Sequence, residues 1–101
     1  MHFTDQEIEG FITEALKYGN CERVVIEETD QECLMYEDQN GKAYYFYPNL
    51  ANRGIDLANS ILSCLHATGT DQTLHWSVHK KIGKTIRLLE NLLHAGQGYG
   101  A

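Results

Sequence analysis

The sequence predicts an α+β domain, a three-stranded antiparallel meander packed by an N-terminal helix and two C-terminal helices. Three observations carry this. A capped amphipathic run opens the chain, three short strand-like runs separated by turn signals follow, and apolar residues at helical spacing fill the second half.

The first helix is the best defined element. Thr4-Asp5-Gln6-Glu7 is a capping box, in which the Thr4 hydroxyl accepts from the Glu7 amide and the Glu7 carboxylate reaches back. Phe3 before the cap and Ile8 inside it make a hydrophobic staple. Ile8, Phe11, Ile12, Ala15 and Leu16 recur on one helical face, and Gly19 is a natural stop, so the helix spans residues 5–18.

The three strands are read at Glu22 to Thr29, Glu32 to Asp38 and Lys42 to Tyr47, with a first turn at Thr29-Asp30-Gln31. Asn40-Gly41 tolerates the positive φ of a tight hairpin. As a two-residue loop it sets Met35 opposite Phe46 and Tyr36 opposite Tyr45, with Leu34 opposite Tyr47 on the second face. One face then lies on the helices and the other carries part of the tyrosine set.

Pro48 ends the third strand, and Asn49 is placed to cap a second helix running to about Ala67. Its apolar residues, Ile55, Leu57, Ala58, Ile61, Leu62, Cys64 and Leu65, cover more than half the circumference, which predicts a helix between two layers. Residues 73–79 fit two patterns. Leu74, Trp76 and Val78 alternate with polar neighbours, as in a fourth strand. Leu74 and Val78 are also in helical phase with Ile82, Ile86, Leu89 and Leu93, and one stripe through six residues favours a single long helix. The expected organisation is one domain over residues 1–95 with a flexible glycine-rich tail over 96–101.

Composition bounds the function. The chain has 101 residues, 43 % of them hydrophobic and 22 % charged, which suits one folded domain rather than a disordered segment. No apolar run is long enough to span a bilayer, so no membrane protein is expected. The start lacks the pattern of a secretory leader, so either the protein is not exported or a leader is already missing. Three cysteines, Cys21, Cys33 and Cys64, form no disulfide framework and suit a reducing compartment, the cytoplasm. Charge is segregated: residues 1–38 hold 11 acids and 2 bases, whereas residues 39–101 hold 3 acids and 6 bases. Such asymmetry orients a molecule on a partner, although a solvated face produces the same pattern.

Signals for chemistry are weak. His75 and His79, four apart, share a helical face, and Cys64 and His66 lie upstream. The spacing matches no standard zinc pattern, and no metal or other cofactor is expected. Cys33 and Cys64 sit in apolar runs, where inert buried thiols are normal. The carboxylates lie on short strands and turns with little room for the desolvated cleft that acid catalysis needs. There is no phosphate loop, dinucleotide fingerprint or nucleophile elbow.

Surfaces are more informative. Tyr36, Tyr44, Tyr45 and Tyr47 crowd one hairpin, and tyrosine combines apolar area with a hydroxyl and few rotors. Trp76, Lys80, Lys84 and Arg87 fall on one side of a helix, roughly opposite the apolar stripe. The order α-β-β-β-α resembles that of double-stranded-RNA-binding domains, whose last helix opens on a lysine-rich stretch. Asn49 to Asn59 carries a single base, Arg53, so the resemblance extends to topology and not to that activity. Acidity, size and element order are also similar to bacterial secretion chaperones, but an expected strand is missing.

The leading expectation is a non-enzymatic protein-binding module: an inhibitor, an immunity or accessory protein, or an adaptor, of the kind phages and mobile elements encode. Glu27, Glu28, Asp30, Glu32, Glu37 and Asp38 would steer it onto a basic partner, with Tyr36, Tyr45, Tyr47 and Trp76 as anchors. Helix 3 or an open sheet edge would serve a homodimer. The alternative is a nucleic-acid-binding or regulatory protein that uses Trp76, Lys80, Lys84 and Arg87, a reading the net charge of −6 works against.

Overall fold

Thr4 and Glu7 close the expected capping box at the start of the chain: Glu7 N–H donates to Thr4 Oγ1 at 3.1 Å, and Thr4 N–H donates to Glu7 Oε1 at 2.9 Å. The computed structural model describes residues 2–95, so the glycine-rich stretch 96–101 lies outside the described residues. The elements are α1 (Asp5–Tyr18), β1 (Glu22–Ile26), β2 (Gln31–Glu37), β3 (Ala43–Phe46), α2 (Gly54–Thr68) and α3 (Trp76–Ala95). The fold is the expected α+β arrangement, with strand order β1-β2-β3 and both neighbouring pairs antiparallel. Phe3 sits edge-on against Phe11, ring centroids 4.6 Å apart, so the residue before the cap meets the helix one turn further along than a staple to Ile8 requires.

The core lies between the sheet and the helices. Ile8, Ile12, Ala15 and Leu16 from α1, Leu34 and Tyr36 from β2, Leu57, Ala58, Ile61 and Leu65 from α2, and Val78, Ile82, Leu89 and Leu93 from α3 form one buried cluster. Each buried aliphatic side chain contributes about 1.5–3 kcal/mol relative to exposure. Residues 73–75 are neither strand nor helix, and α3 begins at Trp76. The stripe through Val78, Ile82, Leu89 and Leu93 is buried as the helical phase predicts, while Leu74 packs on the core from the preceding loop.

Three local expectations are corrected. The β1–β2 connection is the four-residue turn 27–30, closed by Asp30 N–H donating to Ile26 C=O at 2.7 Å, so Glu27 and Glu28 stand on a turn rather than a strand. Asn49 does not cap α2. Its carboxamide accepts from Ala51 N–H at 3.1 Å, closing a local turn, and the helix starts only at Gly54. Nor is α2 sandwiched between layers: it packs on α1 and α3 and leaves Ile55 44 % exposed.

Gly19 marks a close approach between the end of α1 and α3. A Cβ there would collide with Thr85 Oγ1 and would lie 2.7 Å from the Lys81 carbonyl oxygen. Thr85 Oγ1, fully buried, donates to that same carbonyl at 3.2 Å and accepts from Tyr36 Oη at 2.8 Å. Gly10, in contrast, is exposed in the interior of α1 with open space around it. The same substitution therefore has opposite signs at the two positions. Gly19→Ala lowers the unfolding free energy by about 1–3 kcal/mol through overpacking. Gly10→Ala raises it by about 0.5–1 kcal/mol through helix propensity. Urea titrations of the two variants check both.

Candidate functional site

Strand register divides the sheet into two chemically different faces. Leu34 pairs with Phe46 and Tyr36 with Tyr44, and these residues face the helices. Alternation sends Val24, Cys33, Met35 and Tyr45 to the other face, with Ile26 and Ala43 beside them and Tyr47 one step past β3. Among the described residues no element lies over this outer face. Tyr45 and Tyr47 are 45 % and 52 % exposed, and Val24, Ile26 and Met35 are half-buried.

The register differs from the two-residue-loop reading by one residue, and Asp38 is the reason. Its Oδ1 accepts from the amides of Asn40 at 2.8 Å and Lys42 at 2.9 Å, while its Oδ2 accepts from Tyr44 Oη at 3.2 Å. Asp38 N–H donates to Lys42 C=O at 2.9 Å, so the loop is Gln39-Asn40-Gly41, with Gly41 at φ 83°. Met35 thus pairs with Tyr45 rather than Phe46, and Tyr36 with Tyr44 rather than Tyr45.

The structure changes the roles of three predicted site residues. Tyr36 is fully buried and holds Thr85, so it is a core residue and not a surface anchor. Burial, first, and the nearby Cys21 raise its phenol pKa well above the ordinary range. Asp38 is also buried and serves the hairpin. Glu32 is neutralised by a bidentate pairing with Arg23, with N–O distances of 2.8 and 3.2 Å. The remaining acids do not form one patch. Glu27, Glu28 and Asp30 stand at the β1–β2 turn, and Glu37 at the far end of β2, about 20 Å away at ~3.3 Å per residue. Glu22, which pairs with Met35, joins Glu37 on the outer face. The apolar strip is therefore bounded by carboxylates at both ends.

At the Glu37 end the strip runs into a shallow cleft of about 500 Å³ between Glu22, Met35 and Glu37 on one side and Lys17 and Lys81 on the other. β1 is too short to pair with the end of β2, and Lys81 Nζ takes its place by donating to Glu37 C=O at 2.7 Å.

The hairpin tip is docked on the start of α3. Gln39 N–H donates to Ser77 Oγ at 2.9 Å. His75 Nδ1 accepts from Ser77 N–H at 3.1 Å and lies 2.8 Å from Ser77 Oγ, so the imidazole caps the helix. His66 instead bridges α2 to Glu90 of α3 at 2.9 Å. Among the described residues no three His, Cys, Asp or Glu side chains come together as a metal set. Burial, opposed only partly by hydrogen bonds from Tyr36 and Met35, pushes the Cys21 thiol up to about 12. Burial and then the Glu32 charge raise Cys33 as well. Such thiols stay protonated and unreactive near neutrality.

Trp76 is 62 % exposed, and Lys80 and Arg87 are exposed on the same side of α3. Sequence reasoning missed Tyr18, 55 % exposed, whose ring lies 5.6 Å beneath Lys84 Nζ. It also missed Val24, Ile26 and Met35 as surface residues, because strand hydrophobicity alone does not say which face is left uncovered.

Comparison with protein-family models, curated proteins and solved structures finds no match for this chain.

Asp38 gives the hairpin an acid-sensitive support. Desolvation raises its pKa, but the amides of Lys42 and Asn40, the Tyr44 hydroxyl and the charge of His75 together outweigh it, so the carboxyl lies below its ordinary value of 3.8. A depressed folded-state pKa adds stability that is complete above the unfolded value and lost as pH falls towards the folded one. Asp38→Asn should therefore destabilise the protein at neutral pH and flatten the loss of unfolding midpoint below about pH 4, as read by thermal melts across the acid range.

Proposed function

We propose that this domain is a non-enzymatic protein-binding module that grips a partner through the outer face of its sheet. The observation that carries the reading is the chemistry of that face. A solvated face of an antiparallel sheet is normally polar. Here Val24, Ile26, Met35, Ala43, Tyr45 and Tyr47 line it with nothing described above them. Tyrosines on a rigid strand are effective anchors because little side-chain entropy is lost on docking.

The rim selects the partner. Glu27, Glu28 and Asp30 at one end and Glu22 and Glu37 at the other suit an apolar protein surface flanked by bases, drawn in by electrostatic steering. A second copy of the chain fits less well. Two such faces meeting would set like-charged rims against each other, so a homodimer through this face is disfavoured. The open outer edges of β1 and β3 remain available for strand pairing. An inhibitor, immunity, accessory or adaptor role would use such a surface to hold its partner. The free thiols suit a reducing compartment such as the cytoplasm. No described helix is long and apolar enough to cross a membrane.

The test is photocrosslinking from position 45, with position 59 on α2 as control, in extract of the source cells. The identified partner is then purified and titrated. The Tyr45→Ala/Tyr47→Ala variant should weaken binding by about 30-fold or more, at ~2 kcal/mol or above for a hot-spot pair, with an unchanged unfolding midpoint. Glu22→Lys/Glu37→Lys should slow association and remove much of its salt dependence. A partner that crosslinks equally from position 59, or binds both variants like the wild type, would overturn the reading.

A further inference from the structure

The outer sheet face leaves unused the other conspicuous surface, the exposed side of α3. Three features set it apart. The first is charge: Lys80, Lys81, Lys84 and Arg87 supply half of the eight cations in the chain, and Glu90 is the only acid in the helix. Among the described residues the side-chain ion pairs are Arg23–Glu32 and His66–Glu90, so Lys80, Lys84 and Arg87 have no carboxylate partner. The second is the pair of exposed rings. Trp76 opens the helix, and Tyr18 lies beside Lys84, two turns and about 12 Å further along at ~1.5 Å per residue. The third is shape. Gly83 lies between Lys80 and Arg87 with no side chain, and a Cβ there would come within 3.1 Å of Arg87 Nη1, so the guanidinium lies close over the helix backbone.

We infer that this face binds single-stranded nucleic acid, with Trp76 and Tyr18 stacking bases and Lys80, Lys84 and Arg87 neutralising phosphates. Flat aromatic platforms interleaved with cations are what a flexible polyanion carrying bases recognises without strong sequence preference. An acidic protein segment would use the cations but has no need of two solvent-facing rings. Double-stranded helices are excluded as the main target because their bases are stacked inside. The acidic sheet ends do not cancel the site. At the Glu37 end the contact with α3 is made by Lys81, which donates to the Glu37 carbonyl, while Lys80, Lys84 and Arg87 keep no carboxylate partner among the described residues. The field of the more distant acids at the β1–β2 turn decays within about 8–10 Å at physiological salt. The domain would then bridge a protein on one side and a nucleic acid strand on the other.

Trp76 is the sole tryptophan and so reports directly on its own site. The experiment is fluorescence titration of the full chain with oligo(U) and oligo(dT) of roughly 12 nucleotides, a length within the usual range for such sites. Saturable quenching is expected, with an affinity that falls about 20- to 50-fold between 50 and 200 mM salt for three to four phosphate contacts, at ~0.7 per contact. The Lys80→Gln/Lys84→Gln/Arg87→Gln variant should lose most of that salt dependence. Tyr18→Ala should weaken binding about tenfold, a typical loss for one stacked base. All these positions are off the core, and Lys81, which serves Glu37, is left intact; an unchanged unfolding midpoint confirms folding. Tyr45→Ala/Tyr47→Ala should bind the oligonucleotide as the wild type does. Absence of quenching, equal quenching by oligo-glutamate of similar length, or affinity indifferent to the triple substitution would each overturn the inference.

Discussion

One buried hydroxyl ties the three parts of this molecule together. Thr85 Oγ1 accepts from Tyr36 of β2, donates to the Lys81 carbonyl of its own helix, and meets the backbone of Gly19 where α1 ends. Loss of this acceptor would leave the Tyr36 hydroxyl buried with only the weakly accepting Cys21 thiol beside it, which costs about 1–3 kcal/mol. Any side chain at position 19 would force α1 away from α3. The contact sets how far β2 lies from α3 and where α1 delivers the chain into β1. That delivery point fixes which residues of β2 go unpaired at their β1 edge. Lys81, four residues before Thr85 on the same helix, is then in place to satisfy the Glu37 carbonyl.

Much of the fold was legible because several local signals agreed. The capping box, the apolar phase and Gly19 all defined α1, and it spans Asp5–Tyr18 as read. The stripe through Val78, Ile82, Leu89 and Leu93 likewise marked the buried side of α3. The misreadings came where a side chain competed for the backbone. Asn49 bonded locally to Ala51 instead of capping α2. Asp38 collected two amides and a phenol, adding Gln39 to the hairpin loop. Both residues are common turn formers, and sequence shows that they will bind some amide without showing which.

That single added residue decided how much of the candidate site could be foreseen. The pairing of strands has a period of two, so a one-residue slip exchanges the partners across the hairpin. Under the two-residue loop, Tyr36 and Tyr45 would share a face. In the structure Tyr36 joins Tyr44 inside, and Tyr45 stands beside Met35 outside. That the tyrosines would be divided between the faces was legible, but the membership of each face was not. The acidic residues show a similar limit. They are close in sequence from Glu27 to Asp38, yet an extended strand separates its ends, one member pairs with Arg23, and another turns inward. Sequence clustering became two charged ends with an apolar strip between them.

The two proposed surfaces are mechanically joined at the hairpin tip. Asp38 fixes the turn that aligns Tyr44 and Tyr45, and the next residue, Gln39, is held by Ser77 one position after Trp76. His75 caps the same turn of helix, and its ring lies 5.5 Å from the Trp76 ring. The register of the outer face and the orientation of the first aromatic on α3 therefore rest on one small set of hydrogen bonds. Each bond of this kind contributes only about 0.5–1.5 kcal/mol net, but buried polar groups cannot be abandoned singly without leaving others unpaired. The junction is thus held as a unit. Tyr45 and Trp76 are presented by one rigid support on opposite sides of the sheet, which is the geometry needed for a small domain to hold two partners at once.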